Sequence, residues 1–275
     1  MTGRAGTAPE PPQLDLELGL GRDGGTAILR RHVAWPWSLP RGFRLAGAAG
    51  PLTVLPQAAA AALLPGDHWR HRIVLGPGAR LHLVTAGATV VHSEPARPAP
   101  RPSRAEWVLS VAAGAALSHV PDPMVLSPGA RVTQTLQAEV AEDGVLLLFD
   151  GLCRRDPAAP VLGGHWASLI EIRRPSGAVV LRDRQRAEET ALADLHALPI
   201  GAAAAFGTAL IVAAPAQLEA LAPMLAPGPW EHQGVWGAAD SLRHGQGIVL
   251  RLAARSGGAL SAAFDALRGA LRPIL

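Results

Sequence analysis

Segments in which polar and apolar residues alternate fill the middle of the chain. Residues 131–140 are polar at the odd-numbered positions and mostly apolar at the even-numbered ones. An alternation with a period of two is typical of a β-strand with one buried face. Residues 80–85 and 106–111 alternate similarly, and residues 145–149 form a continuous apolar run, as in a strand buried on both faces. The pattern predicts a β core.

Turns of similar composition separate these segments. They are Pro77-Gly78-Ala79, Ala113-Gly114-Ala115, Pro128-Gly129-Ala130 and Asp143-Gly144-Val145. The last three glycines lie fifteen residues apart, which is about the length of one strand out, a turn and one strand back. The spacing therefore predicts an all-β scaffold with evenly placed turns.

Two stretches have helical spacing instead. Their apolar residues fall on one helix face, after Pro215 at Leu218, Leu221 and Leu225, and near the end at Leu260, Phe264, Leu267 and Leu271. Residues 197–218 carry no charge and reach the length of a membrane span, but prolines and glycines interrupt them. A buried strand over residues 208–212 and a helix beginning at Pro215 fit this stretch better. Both helices are expected to pack on the sheet core.

Composition and charge exclude several functions. All 25 basic residues among the 275 are arginine, they are dispersed along the chain, and the formal net charge is +3. A nucleic-acid interface needs a basic stripe with stacking aromatics, so no nucleic-acid partner is expected. Cys153 is the single cysteine, which excludes an internal disulfide framework and suits the reducing cytoplasm.

No motif of a known catalytic site stands out. The glycines of residues 19–24 match the dinucleotide fingerprint, but residues 26–33 read as a strand where that site requires a helix. We interpret Asp23-Gly24-Gly25 as a hairpin turn. The absence of lysine excludes a P-loop, a Schiff base and a Ser-Lys dyad, and zincin, zinc-ribbon and hydrolase-elbow motifs are missing. A triad of distant residues stays open, although nothing in the sequence favours one.

The densest group of possible metal ligands is Asp67-His68-Trp69-Arg70-His71. Imidazole is a good ligand for nickel and similar metals. One hypothesis is therefore a stand-alone β module that uses Asp67, His68 and His71 as a metal or ligand site. The other is a solvated loop in which Asp67 is a polar turn residue.

Several short motifs follow one another in the order found in a known family. They are residues 65–67, 82–89, 124–131, 149–154, 205–210 and 267–273. Together they resemble the urease accessory protein family UreD, also called UreH. The resemblance extends from about Leu16 to the C-terminus, and the order of the motifs carries it because none is diagnostic alone. It predicts one UreD-like domain over residues 14–275. Residues 1–13, with three prolines and two glycines, are expected to form a disordered tail.

The resemblance implies a maturation chaperone and not an enzyme. Members of the family are mainly β, so we expect a right-handed β-helix-like or stacked-sheet scaffold with about two α-helices. The family implies apo-urease and UreF as partners, with UreF recruiting the GTPase UreG, and no membrane. An interior passage is expected to deliver Ni²⁺ to urease. Weak successive contacts would let the ion move on, whereas a tight site would trap it, so no permanently bound cofactor is expected.

The resemblance also suggests which residues contact nickel. Asp67 matches the aspartate of a Gly-Gly-Asp motif, and Asp150 and Cys153 match an acidic-x-x-Cys stretch. The predicted nickel path consists of Asp67, His71, Asp122, Asp150 and Cys153. Three departures suggest a divergent member. Val90 stands where many members have a lysine, and residues 120–123 replace a Pro-Gln-Glu motif so that Asp122 is the only acid there. Residues 157–170 contain no acid, although many members have a glutamate in this stretch.

Overall fold

The computed structural model describes residues 10–47, 50–94, 101–197, 203–221 and 229–274. Its strands are β1 (Leu14–Leu20), β2 (Thr26–Val33), β3 (Trp37–Ser38), β4 (Leu52–Val54), β5 (Gln57–Ala58), β6 (Ala62–Leu63), β7 (His68–Leu75), β8 (Arg80–Val84), β9 (Val90–Val91), β10 (Ser103–Val111), β11 (Ala116–Val120), β12 (Met124–Leu126), β13 (Arg131–Val140), β14 (Val145–Arg154), β15 (His165–Arg173), β16 (Val179–Glu188), β17 (Ala205–Val212), β18 (Trp230–His232), β19 (Val235–Ser241) and β20 (Gly247–Ala254). The predicted mainly β fold is confirmed.

Three α-helices occur in the described residues, α1 (Glu189–His196), α2 (Pro215–Leu221) and α3 (Gly257–Ala270). Two short 3₁₀ turns cover Arg243–Gly245 and Arg272–Ile274. Both predicted helices are present, with Leu218 and Leu260 buried as expected, whereas Leu225 lies outside the described residues. The eight-residue helix α1 was not predicted, because it follows β16 directly with no apolar period long enough to separate it.

Two large sheets form the body of the molecule. The first has the strand order β16-β15-β13-β10-β7-β1-β2, and the second has the order β18-β19-β20-β17-β14-β11-β8-β4. The short strands β12, β9 and β6 join the second sheet through β14, and β3 pairs with β5 separately. The predicted stacked-sheet arrangement is therefore present.

A parallel coil occupies the centre of both sheets. The strands β7, β10, β13 and β15 pair in parallel in the first sheet, and β8, β11 and β14 do so in the second. The connecting turns are hydrogen-bonded to one another, with Gly78 N donating to Ala113 O at 3.0 Å and Val145 N to Ala115 O at 2.9 Å. The turn at Gly129 joins β12 to β13 at the opposite side. The fifteen-residue spacing of the turn glycines therefore corresponds to half of one turn of the coil.

Apolar residues fill the spaces between the layers. The largest cluster lies between the two sheets and includes Leu16, Ile73 and Leu146. The helices α2 and α3 cover the other face of the second sheet, where Phe264 contacts Phe149 with ring centroids 4.5 Å apart. Gly207 on β17 makes room for this helix, because a Cβ there would lie 2.7 Å from the Phe264 ring. Because α3 covers one face of the second sheet and the first sheet covers the other, β14 is buried on both faces, which explains its continuous apolar run.

Antiparallel strands form both ends of the first sheet. The hairpin predicted at Asp23-Gly24-Gly25 joins β1 to β2, with a left-handed φ of 73° at Gly24. At the other end of the first sheet β16 pairs antiparallel with β15 and exposes Arg182, Arg184 and Arg186. A strand, and not a helix, follows the glycines of residues 19–24, so their interpretation as a hairpin turn and not as a dinucleotide site is confirmed.

Residues 1–9 of the predicted tail lie outside the described residues, and residue 13 is held against β7. The Gln13 side chain donates to His68 O at 2.9 Å and accepts from Arg70 N at 2.6 Å.

The uncharged stretch of residues 197–218 contributes β17 and α2, as predicted. In the part of the chain that the structure describes, no helix is both long and apolar enough to cross a membrane.

Candidate functional site

A row of polar side chains crosses the interior between the two sheets. On the second sheet Asp150, Thr208 and Arg251 are direct partners across β14, β17 and β20. On the first sheet Gln134, Ser168 and Gln185 are partners across β13, β15 and β16. The residues two positions away on β13, β14 and β15 belong to apolar clusters on both sides of the row, namely Val132, Leu136, Leu148, Leu152, Trp166 and Ile170. The row is therefore a polar layer inside an apolar core.

Asp150 is the buried carboxylate in this row. Gln134 Nε2 donates to its Oδ1 at 2.8 Å and Ser168 Oγ donates to its Oδ2 at 2.6 Å. Burial raises the pKa of the Asp150 carboxyl above its usual range, the bonds from Ser168 and Gln134 oppose this shift, and the nearby Asp183 adds to it. In the described residues Asp150 bonds to Gln134 and Ser168 and to no basic side chain, so a cation at this point would favour the ionised form of the carboxyl and be stabilised by it.

An ion pair closes the far end of the row. Arg251 donates to both oxygens of Asp183, at 3.0 Å and 2.5 Å, and to Thr208 Oγ1 at 2.7 Å. Gln185 Nε2 joins Asp183 to Thr208 with bonds of 2.9 Å and 3.1 Å. Because Asp183 lies on β16 and Arg251 on β20, this network connects the two sheets where the row reaches the surface.

Two imidazoles and an indole lie at the other end. His71 stacks on Trp107 with ring centroids 3.8 Å apart, and His119 lies 4.3 Å from the same indole. The two histidines are 2% and 3% exposed. Burial lowers the pKa of His71 to about 3 and that of His119 to about 4. Both rings are consequently neutral at physiological pH.

These rings line an interior cavity together with Asp150 and Gln134. The space open to water inside it is about 60 Å³, and because one water needs roughly 10–15 Å³ of such space, the cavity is large enough for a few water molecules. Leu83, Leu136, Leu148 and Ile170 form its apolar wall. The cavity can hold a small hydrated ion but not a large organic molecule.

Asp122 marks the junction between this cavity and an outer groove. It lines the cavity, and it also lines the groove beside the first turn of α3. Its Oδ1 accepts from Ser261 Oγ at 2.7 Å, and its backbone N donates to Thr85 Oγ1 at 3.2 Å. These bonds fix a carboxylate at one entrance to the interior.

Comparison with known proteins identifies the family. A family model described as "UreD urease accessory protein" matches residues 13–275. The chain belongs to the UreD family. UreD 2 of Bradyrhizobium sp. strain BTAi1 is 35% identical over 272 residues, 98% of this chain and 92% of that protein. UreD 1 of Methylorubrum populi is 31% identical over 264 residues, which cover 95% of this chain and 88% of that protein. UreD of Mycolicibacterium smegmatis is 31% identical over 246 residues, which cover 89% of this chain and 85% of that protein. All three are named as accessory proteins, and the resemblance found in the sequence is confirmed.

The structure brings together three of the five residues that the UreD resemblance suggested. His71, Asp122 and Asp150 line one cavity. Cys153 lies on the opposite side of β14, where it packs with α3, and burial raises the pKa of its thiol to about 11. Asp67 precedes β7, and its carboxylate accepts from Leu64 N at 2.9 Å within a turn. The structure therefore does not bring Asp67 or Cys153 to this cavity.

The group from Asp67 to His71 does not converge on one point. On β7 the side chains of His68 and His71 point to opposite faces of the first sheet. His68 Nε2 pairs with Glu106 at 2.8 Å, whereas His71 lines the interior. Among the described residues, moreover, no group of three or more His, Cys, Asp or Glu side chains is arranged to hold a metal ion. The cavity of this UreD family member is thus not a closed metal site.

Several residues of this site were not predicted from the sequence. They are His119, Gln134, Ser168, Asp183, Thr208 and Arg251. A signal exists for Gln134, which is the polar exception on the apolar side of residues 131–140. In a strand with one buried face, a polar residue in a buried position needs a partner, and that exception points to the row.

Proposed function

We propose that this UreD family member is a urease accessory protein that binds apo-urease and UreF, with UreG, and conducts Ni²⁺ through its interior to the urease active site. Nickel is the cargo, and the chain itself catalyses no reaction. Membership of the UreD family supports the role in urease maturation. The interior route is supported by one observation above all, the buried carboxylate of Asp150 at a cavity wide enough for water.

The spacing of donor groups suits transport better than storage. Asp122 lies at the entrance, the two imidazoles lie inside, and Asp150 follows at the start of the polar row. Each position offers few donors, so an ion would keep part of its water shell and exchange ligands one at a time. Carboxylate and imidazole both bind Ni²⁺, and the softer imidazole suits it better than it suits Mg²⁺ or Ca²⁺.

We further propose that the protein works in the cytoplasm as part of a complex. Its one cysteine is free and buried, as expected in a reducing compartment. The advantage of an interior route is that competing chelators cannot reach the ion during transfer. The apolar walls on both sides of the polar row provide that separation.

Nickel loading of urease tests the proposal. The chain is co-expressed with apo-urease, UreF and UreG, either as wild type or as Asp150→Asn, which keeps the size and can still bond to Gln134 and Ser168. We expect the nickel content of purified urease to fall by roughly tenfold, the usual scale for losing one group at a metal position. Pull-down of UreF and urease should be unchanged.

Asp143→Asn is the matched control, because this aspartate lies in an exposed turn. It should load nickel like the wild type. Unchanged urease activation after deletion of the whole chain would contradict the accessory role. Normal nickel content with Asp150→Asn would contradict the interior route alone.

A further inference from the structure

The cavity presents two imidazole nitrogens that have no hydrogen-bond partner in the part of the chain that the structure describes. His71 Nδ1 faces the backbone oxygen of Glu106 at 2.9 Å. An oxygen acceptor at this distance assigns the proton to Nδ1 and leaves a lone pair on Nε2. His71 Nε2 is buried and has no hydrogen-bond partner among the described atoms. A protonated Nδ1 bonded to a backbone carbonyl is the usual arrangement for a histidine that binds metal through Nε2.

His119 repeats this arrangement from the second sheet. Its imidazole is held by a hydrogen bond to the backbone of Leu83, and its Nδ1 is buried with no partner in the described part of the chain. Both rings line the same cavity, and each contacts the indole of Trp107. Leaving two such nitrogens unpaired inside a core is costly unless something in the cavity binds them.

We propose that His71 Nε2 and His119 Nδ1 form a transient binding station for a borderline divalent transition metal, with water completing the coordination. Applied to nickel, this station rests on the function proposed above and assigns the interior ligands of the cargo. Two neutral imidazoles prefer Ni²⁺, Co²⁺ or Zn²⁺ over Mg²⁺ and Ca²⁺, which require oxygen ligands. With only two protein ligands the ion is held weakly enough to leave towards Asp150.

The aromatic surroundings explain how the station is kept in position. Trp107 lies against both rings, and Trp37 packs edge-on against His71 at 4.9 Å. These contacts restrict rotation of the imidazoles, so that little side-chain freedom is lost when an ion binds. Trp107 also supplies a probe, because a paramagnetic ion next to an indole quenches its fluorescence.

The test uses the untagged full chain and Ni²⁺ alone, without urease or partners. X-ray absorption of the nickel-loaded wild type should count two imidazole ligands, and tryptophan emission should fall on titration with Ni²⁺. His71→Asn and His119→Asn should each remove one imidazole and weaken binding by at least about tenfold. His32→Asn, on the exposed part of β2, should change neither measurement, and a large excess of Mg²⁺ should not displace the nickel.

The proposal is overturned if the wild type binds no Ni²⁺, if fewer than two imidazoles are counted, or if Mg²⁺ displaces the ion. If a variant fails to fold, the wild type still decides the matter, because two imidazole ligands must be counted together with the fall in tryptophan emission that places the ion beside Trp107. The result is also independent of the proposed function. If nickel binds through two imidazoles but urease activation does not depend on this chain, the binding station is supported and the delivery role is contradicted. If nickel loading of urease depends on Asp150 but no imidazole ligands are found, the delivery role is supported and the station is contradicted.

Discussion

Asp150 and Glu189 are both buried carboxylates, but their partners differ in kind. Glu189 accepts from the backbone nitrogens of Gly129, Leu162 and Gly164, at 3.1, 3.0 and 2.8 Å, and Arg154 lies 3.7 Å away. Backbone donors cannot turn elsewhere, so Glu189 fixes two loops to α1. Asp150 instead accepts from the side chains of a serine and a glutamine, which can rotate. Only the second arrangement allows a partner to be exchanged.

Glu189→Gln should therefore destabilise the fold. The neutral amide replaces an acceptor by a donor that faces backbone N–H groups, and the loss should be about 2–3 kcal/mol in the free energy of unfolding, measured in urea. Glu188→Gln is the control, because its side chain is 46% exposed and pairs with Arg186 on the surface. It should change the stability by less than about 0.5 kcal/mol. Equal effects of the two substitutions would contradict this role of Glu189.

The buried histidines predict how stability depends on pH. In the unfolded chain both would take up a proton near pH 6.5, whereas burial lowers their pKa values in the fold to about 3 and about 4. The unfolded state then binds more protons, so the free energy of unfolding falls as the pH falls below about 6.5. The raised pKa of Asp150 acts in the opposite direction, because there the folded state holds the extra proton.

The double variant His71→Asn/His119→Asn should remove most of this dependence. Urea midpoints measured between about pH 6.5 and pH 4.5 should fall less steeply than in the wild type. His32→Asn should keep the wild-type slope, since that side chain is exposed. A double variant with the full wild-type slope would show that other groups cause the acid sensitivity.

At the scale of elements, the sequence predicts best what local alternation determines. The bounds of β13 agree with residues 131–140. The apolar run at residues 145–149 lies in β14, and it is apolar throughout because the first sheet and α3 cover the two faces of that strand. The short helix α1 and the pairing order were not predicted. Both depend on contacts between distant segments, which periodicity does not contain.

The contact between α3 and the second sheet depends on a glycine. A Cβ at Gly207 would meet Phe264 Cζ at 2.7 Å and Leu260 Cδ1 at 2.9 Å. Gly207→Ala should therefore shift the helix and cost about 1–3 kcal/mol in unfolding free energy. Gly269→Ala, in α3 with open space around it, should instead stabilise by up to about 1 kcal/mol. Thermal unfolding that ranks the two variants the other way would contradict this packing.

At the scale of the whole molecule, register alone assembles the polar row. Gln134 and Asp150 are 16 residues apart in the sequence, and Asp183 and Arg251 are 68 apart. Shifting one strand by a single residue would turn these side chains to the other face. The sequence contains the residues but not their alignment. The resemblance to UreD suggested Asp150, while its partners became visible only with the strands in place.

Arg251 and Asp183 join the two sheets, and removing one partner should show their coupling. Arg251→Met leaves a carboxylate that is 9% exposed without its cation, which should cost about 1–3 kcal/mol. Adding Asp183→Asn should restore part of the loss, as a double-mutant cycle would measure. Arg182→Met removes a pair on the outer face, where the arginine is 60% exposed, and should have little effect. Strict additivity of the two changes would contradict the coupling.

The antiparallel strands at the two ends of the first sheet also bear on self-assembly. A parallel stack with open ends offers backbone groups to which a second copy could add in register, and such growth leads to fibres. In this chain β2 and β16 reverse direction at the two ends of the first sheet. Arg182 and Arg186 form ion pairs with Glu171 and Glu188, and charged side chains on an edge strand disfavour pairing with a second copy. The fold is thereby protected against polymerisation at these edges.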